Sequence, residues 1–576
     1  MKLLLHFMKP YWKLSVITII VVLLDSVAAM FIPTITARIV TIGTSGGTLD
    51  EMITMGIIML VVAALSGFGA LLGSWLCAKL SAKIGRDIRN AVYDKSLELS
   101  AADFEKFGTG SMITRTSNDI AIIQAAVVFC IQMIIPVPVM CILGIVLSFD
   151  IDRNMGFLIL GVTLLVILAA IIIIKKASSI FARQQKLLDR MNVVLRENIT
   201  GVRVIRAFNK EKHEEGRMKK SFLDYAQSAI NVNRLFAILD SWVLLAINLG
   251  IILITWLGGN TVGTGAMEIA DISQLVQFSV LILSYIMMAQ IVIMMLPRAR
   301  VCLHRINEVM QTTPEIQDGS GNAVFESSKK PAASEVMRFE HVGFRFADAD
   351  EETLRDISFS CRKGETTAII GGTGSGKSTI AKLMLRFHDV TSGAVYLQGS
   401  DIRNLTQNDL RSHISYVPQK AWLFSGTIRS NLLYGNENAT EEELQKALRI
   451  AQSDFVNGLS AGMDSPVAQG GTNFSGGQKQ RLSIARALVK KADLYIFDDS
   501  FSALDFKTDA ALRRALAYET QYSAVLIIAQ RISTILHADQ IIVLDNGKIA
   551  GIGKHDELME SCAVYRDIAQ SQMKGA

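Results

Sequence analysis

Six long apolar stretches, at 14–37, 52–80, 122–149, 155–174, 235–257 and 272–296, constrain this 576-residue chain more than anything else in it. Crossing ~30 Å of hydrocarbon takes ~20 apolar residues. In lipid each backbone N–H and C=O must find its partner inside the segment, so these stretches are predicted to be membrane-spanning helices. The glycines and prolines that some of them carry are tolerated in such helices. Composition agrees. Half the residues are hydrophobic and only 19% are charged, with a mean hydropathy of +0.34, which a wholly soluble enzyme rarely shows.

Charge in the connections sets the orientation. Lys79, Lys83, Arg86, Arg89, Lys95, Lys106 and Arg115 follow the second stretch, and 175–234 is rich in Lys and Arg, whereas 44–50, 150–153 and 258–271 carry almost none. The positive-inside rule then puts the two long basic segments and both termini in the cytoplasm of a multi-pass protein of the cell membrane. The basic and aromatic start, from Met1 to Trp12, suits the membrane interface, and the first apolar segment reads as a retained anchor. A net charge of +5 is small for this length and gives no reason to expect a nucleic-acid partner. The six cysteines have no ligand-like spacing and read as reduced thiols.

Both long basic segments continue the helical pattern of the spans, as at 84–99 and 183–199, and each breaks near its middle, at Phe107-Gly-Thr-Gly110 and at Thr200-Gly201. A helix pair that protrudes, turns and returns presents a short transverse piece, so 108–117 and 201–207 are expected to dock on a partner domain, the alternative being ordinary loops. The division that follows is a six-helix transmembrane domain with two helical extensions (1–310), a polar linker rich in Pro, Gly and Ser (311–335) and a soluble domain (336–576). In the last, strand-like runs alternate with helical patterns, which predicts an α/β fold with a largely parallel sheet.

Within it, Gly371-Gly-Thr-Gly-Ser-Gly-Lys-Ser-Thr379 follows the apolar run 366–370 and precedes a helical pattern, the strand, turn and helix order of a P-loop. Glycines 371, 372, 374 and 376, with Thr373 and Ser375, let the backbone wrap a triphosphate so that successive N–H groups face anionic oxygens. Lys377 would bridge the β- and γ-phosphates of ATP, Ser378 would ligate Mg²⁺, and Thr379 closes the motif. The run Leu494-Tyr-Ile-Phe497 ends in Asp498 and Asp499. A buried strand ending in a carboxylate can hold Mg²⁺ beside the P-loop, and Asp498 is the candidate.

Phe474-Ser-Gly-Gly-Gln478, ahead of Lys479-Gln-Arg481, resembles the signature motif of the ATP-binding cassette (ABC) transporters. The resemblance extends along the chain. Gln419 matches the family's Q-loop, which implies a further Mg²⁺ ligand; Asp505 in Ser502-Ala-Leu-Asp505 matches its D-loop; Phe346 falls where the family stacks adenine on a tyrosine. Six spans before one cassette resemble exporter-type half-transporters, whose cassettes pair head to tail and sandwich each ATP between one P-loop and the other chain's signature residues, here Ser475, Gly476, Gly477 and Gln478.

Two positions depart from the family. It places a glutamate after the Walker B aspartate to polarise the attacking water, and here Asp499 stands, one methylene shorter; its switch histidine is replaced by Gln530, which has no titratable proton. With ~1 Å of misplacement worth ~10²-fold in rate, a site that binds ATP and turns it over poorly is expected. The nearly intact signature would then serve a second, non-identical subunit. The resemblance thus implies an ATP-driven heterodimeric exporter of lipophilic or amphipathic, drug-like compounds, similar to the degenerate-site subunit of heterodimeric bacterial multidrug exporters. Exporters of lipid, peptide or siderophore, and a mainly regulatory ATP-binding partner, are the alternatives.

Charges inside spans are costly and usually face the interior. Asp25 and Asp240 are such residues: each either faces a cationic substrate or pairs with a neighbouring helix. Met287, Met288, Met294 and Met295, with Gln277 and Gln290, give the sixth span a surface suited either to varied apolar ligands or to plain packing.

Overall fold

The computed structural model describes residues 2–319, 334–347 and 349–573. Two compact units result, one from Met1–Glu98 with Phe107–Thr312, the other from Leu99–Lys106 with Thr313–Ala576.

The first unit is helical. Among the described residues, six helices are long and apolar enough to cross a membrane, in agreement with the six stretches. Several run far beyond that need. Leu49–Glu98 has 50 residues, Arg153–Thr200 has 48 and Glu211–Gly263 has 53. At 1.5 Å per residue these are roughly 70–80 Å long, more than twice the hydrocarbon thickness. The first helix, Trp12–Thr44, packs on the second, and the fourth on the fifth. Large apolar side chains such as Leu60 and Leu71 stay exposed, about 70% each, which suits lipid and not water.

The third span is not one regular helix. It starts at Thr109, passes through π-helical turns at Arg115–Asp119 and Cys130–Ile134, and finishes as Pro136–Ile151. Residues 108–117 are therefore the root of that span. The short separate helix lies just before it, at Ala101–Phe107, between the end of the second helix at Glu98 and Gly108, whose φ of +76° suits glycine. In the second basic segment a separate short helix, Val202–Ala207, follows Gly201.

In the second unit a six-stranded sheet has the spatial order Lys548–Gly553, Gln540–Asp545, Thr366–Gly371, Ala524–Ile528, Leu494–Asp498, Ile414–Val417. All neighbours are parallel except the first pair. Both faces are covered, which is why the strands are continuous apolar runs. Ala368, Ile370, Tyr495, Phe497, Val525 and Ile527 pack on the side of helix Gly476–Val489. Ile369, Ile496, Leu526 and Ile528 pack with Ile380 of helix Lys377–Met384 on the other. A four-stranded antiparallel sheet, in the order Leu354–Arg362, Glu335–Phe344, Ser392–Leu397, Ser400–Asp401, joins that second core.

Part of the linker segment is anchored to this unit. The Arg386 guanidinium, 3% exposed, donates to the carbonyls of Gln317 and Leu405 and pairs with Asp389. Asp318 accepts from the Gln407 backbone N–H, and the Gly319 N–H donates to Leu405. Residues 320–333 lie outside the described residues.

Candidate functional site

The sheet order builds the site. Strands Thr366–Gly371, Ala524–Ile528 and Leu494–Asp498 are adjacent and parallel, so their carboxyl ends fall together at one edge. The P-loop leaves the first, Gln530 follows the second, and Asp498 and Asp499 end the third. This is the edge where open α/β sheets hold ligands.

Gly374 and Gly376 take φ of +84° and +97°, which turns the loop so that helix Lys377–Met384 starts at once. A Cβ on Gly371 would run into the Leu544 carbonyl, whereas Gly372 and Gly374 have open space above them. The Lys377 ammonium is folded back on the carbonyls of Gly371 and Gly372 at 2.8 and 2.6 Å. Burial pulls it below the usual lysine range, against the opposing pull of Asp499 and Asp498. The buried Ser375 hydroxyl has no hydrogen-bond partner among the described residues. An open glycine-rich loop, an unsatisfied hydroxyl and a lysine with only carbonyls to bind form a cradle that fits a polyphosphate.

Beside it, the Ser378 hydroxyl donates to Asp498 Oδ1 at 3.0 Å and the Tyr416 hydroxyl to Asp498 Oδ2 at 3.4 Å. Burial raises the Asp498 carboxyl, and these two hydrogen bonds oppose the rise. Two hard oxygen donors, Ser378 and Asp498, side by side fit Mg²⁺ chemistry.

Asp499 is held differently. Its backbone is left-handed, φ +48°, a region Asp tolerates better than most residues. Its Oδ2 accepts from the Gln530 amide at 2.8 Å and from the Gln419 amide at 3.1 Å. The three residues that stood apart in the sequence thus form one cluster. Asp505 caps helix Phe506–Glu519 by accepting from the Thr508 N–H, which draws its carboxyl below the usual range.

The signature segment starts its own helix. Ser475 accepts from the Gln478 N–H while Gln478 accepts from the Ser475 N–H, a reciprocal cap that leaves exposed Ser475 and Gly476 at the tip. Gly477 lies near the Ala503 carbonyl of the D-loop segment. Phe474 packs on Phe455 within the core, a role open to the family's leucine as well. Phe346 stands edge-on to Phe344 and His388 and packs on the core that contains Ile380.

Sequence reasoning missed Tyr416 and Arg386. Neither belongs to a motif, and the only available sign for Tyr416 was its place in the apolar run just before Gln419.

A six-span helical unit joined to an α/β unit with this cradle defines an ATP-binding cassette fused to a membrane domain. Comparison with known proteins gives the family. The model of the ABC transporter transmembrane region matches residues 15–288, and a second model, described as ABC transporter, matches 354–502. An uncharacterized ABC transporter ATP-binding protein of Mycobacterium tuberculosis is 36% identical over all of this chain and 98% of its own length. An ATP-dependent lipid A-core flippase of Syntrophus aciditrophicus is 30% identical over 90% of this chain and 84% of itself. A protein named "Probable multidrug resistance ABC transporter ATP-binding/permease protein" from Bacillus subtilis is 30% identical over 98% of this chain and 96% of itself. The solved structure of a bacterial Atm1-family ABC exporter with ATP bound superposes with a TM-score of 0.79 at 25% identity, covering 97% of this chain and 98% of that one. The chain belongs to the ABC transporters, as an exporter-type protein with a membrane domain and an ATPase cassette that drives transport with ATP.

Proposed function

We propose that this chain is one half of a heterodimeric exporter of lipophilic or amphipathic, drug-like compounds, working with a second, non-identical ABC half-transporter that carries the competent catalytic groups. The observation that supports the reading is the cluster around Asp499. Where the family has glutamate and histidine, this chain has Asp499 and Gln530, and both Gln530 and Gln419 donate to one oxygen of the shorter carboxylate. None of these amides can take up or release a proton.

In this reading residues 371–379 and Phe346 hold the nucleotide, and Ser378, Gln419 and Asp498 would hold Mg²⁺, which would neutralise charge on the terminal phosphates. Lys377 exchanges its two carbonyl partners for phosphate oxygens. Ser475, Gly476, Gly477 and Gln478 meet the nucleotide held by the partner, and Asp505 sits at the seam between cassettes. Closure of the two cassettes on ATP moves the membrane helices, through segments such as Val202–Ala207, and release of phosphate reverses it. The domain limits 1–310, 311–335 and 336–576, the cell membrane as location, and termini and cassette on the cytoplasmic side belong to the same proposal.

Purification from native membranes tests it. The chain is expected to come down with a different cassette protein and to hydrolyse ATP very slowly alone, and vanadate is expected to trap nucleotide chiefly on the partner's consensus site. Full-rate ATPase from two copies of this chain overturns the reading. Export of a lipid, peptide or siderophore is the alternative cargo; the flippase relative favours lipid as the bacillus relative favours drugs.

A further inference from the structure

A small polar cavity lies in the membrane unit. Its volume is about 130 Å³, and its walls come from four helices: Asp25 and Ser26 on the first, Gly69 and Ser74 on the second, Gln132 on the third and Tyr285 on the sixth. Asp25 is 13 residues past the interfacial Trp12, roughly 20 Å along the helix axis, which puts a carboxylate well inside a ~30 Å hydrocarbon layer. Such a group is costly there unless it faces water, protein or a counter-charge.

The carboxylate is only partly satisfied by the protein. Ser66 donates to its Oδ1 at 2.7 Å. Among the described residues no Lys or Arg lines the cavity. The remaining lining groups are neutral and bond elsewhere: Gln132 donates to the Ser74 hydroxyl at 3.3 Å, and the Ser26 hydroxyl donates to the Val22 carbonyl of its own helix at 2.8 Å. Gln132 sits within the π-helical turn Cys130–Ile134, just ahead of Pro136, an irregularity of the kind that re-aims side chains at functional sites. The space itself is kept open by glycine. A Cβ on Gly69 would stand 3.3 Å from Asp25 Cβ, and one on Gly73 would stand 3.1 Å from Val22.

We infer that this cavity is a subsite for the ammonium group of a cationic amphipathic cargo, paired with Asp25 and received by the neutral oxygens of Ser26, Ser74, Gln132 and Tyr285. A cavity of about 130 Å³ holds roughly the volume of four waters, enough for an ammonium and its first carbons and too little for a whole drug-sized molecule. The apolar body of the cargo therefore stays outside, along the helix surfaces. The inference rests on the exporter reading and deepens it by naming the charge of the cargo. Asp240 lies outside the lining of this cavity, and its carboxylate accepts from the Gln290 amide of the sixth helix.

The test uses the full-length chain in lipid nanodiscs and two fluorescent probes, monodansylcadaverine, which ends in a primary ammonium, and its N-acetyl derivative, which is neutral. Wild type is expected to bind the ammonium probe about tenfold more tightly than the neutral one, the effect of a single partly buried charge pair. Asp25→Asn should erase that difference, and Asp25→Glu should keep most of it. Gly69→Val, which retains the carboxylate and fills the cavity, should also erase it, so the conclusion does not hang on one variant folding. Unchanged nucleotide binding by the cassette certifies each protein. Equal binding of both probes by wild type, or ammonium binding by Asp25→Asn as tight as wild type, overturns the subsite. If membrane vesicles holding the complete transporter export both probes alike, the exporter reading stands and the subsite falls; if ammonium preference is found in nanodiscs but neither probe is exported, the subsite stands and the drug-like cargo falls.

Discussion

Asp499→Glu is the perturbation that most directly tests the catalytic argument. The added methylene advances the carboxylate by about 1 Å, and placement errors of that size cost ~10²-fold, about 2.7 kcal/mol of barrier. Against this stand two costs visible in the structure. The longer side chain leaves the position in which Oδ2 accepts from Gln530 and Gln419, at ~1 kcal/mol per hydrogen bond. It also occupies a left-handed backbone that suits Asp better than Glu. Both costs fall on the folded protein at rest, while the gain is made in the transition state. The rate of ATP hydrolysis at this chain's own P-loop should therefore rise between ten- and a hundredfold, with a small loss of thermal stability. Because Gln530 bonds to the same oxygen, Gln530→His alone should do little, and the double variant should exceed the product of the single effects. The assay is phosphate release by the complete transporter with the partner's glutamate replaced by Gln, so that only this site is read. A rate for Asp499→Glu equal to or below wild type, with nucleotide affinity intact, would refute the reasoning.

Further outcomes follow from the same geometry. Asp498→Asn should abolish Mg²⁺-dependent ATP binding and yet raise the melting temperature without nucleotide: burial raises this carboxyl above its unfolded value, so its ionised form costs stability as pH rises through the folded value, and an amide removes that cost. For the same reason wild-type affinity for Mg²⁺·ATP should fail on acidification sooner than a free aspartate would predict, as equilibrium binding against pH would show. Arg386→Met should destabilise the cassette by ~3–5 kcal/mol, since it strands the carbonyls of Gln317 and Leu405 and the carboxylate of Asp389, and the loss should appear as faster hydrogen exchange at 313–319. Ser475→Ala should cost about 1 kcal/mol through the lost cap, with exchange quickened in the first turn of helix Gly476–Val489 and the rest of the cassette unmoved.

Much of this protein is fixed by local sequence. A run of twenty apolar residues has one backbone solution in lipid, so six spans are legible without any knowledge of what packs on what. The glycine-rich loop is equally local, because its positive φ angles and its strand and helix flanks all lie between Thr366 and Met384. The chain breaks were legible only roughly. Thr200-Gly201 does end a helix and Gly108 does interrupt one, but a further break falls at Leu99–Ser100, so the short helix is Ala101–Phe107 and residues 108–117 are the root of the third span. Glycines at 108 and 110 signalled a change of direction without saying on which side of it the helix would form. The side chain of Met294 lies outside the described residues, while Met287 and Met288 are exposed.

What the tertiary structure alone decided is which distant residues share an atom. Gln419 and Gln530 stand 80 and 31 residues from Asp499 and reach the same oxygen because strand Ala524–Ile528 inserts between two strands that precede it in the chain. Strand order is a matter of long-range pairing, which neither periodicity nor motif spacing carries. The pairing of Asp25 with Ser66 and the cavity beside them arise likewise from the close approach of two helices at Gly69, a contact set by side-chain shape across the membrane unit. Hydropathy fixed that those helices exist; only packing fixed which of their faces meet.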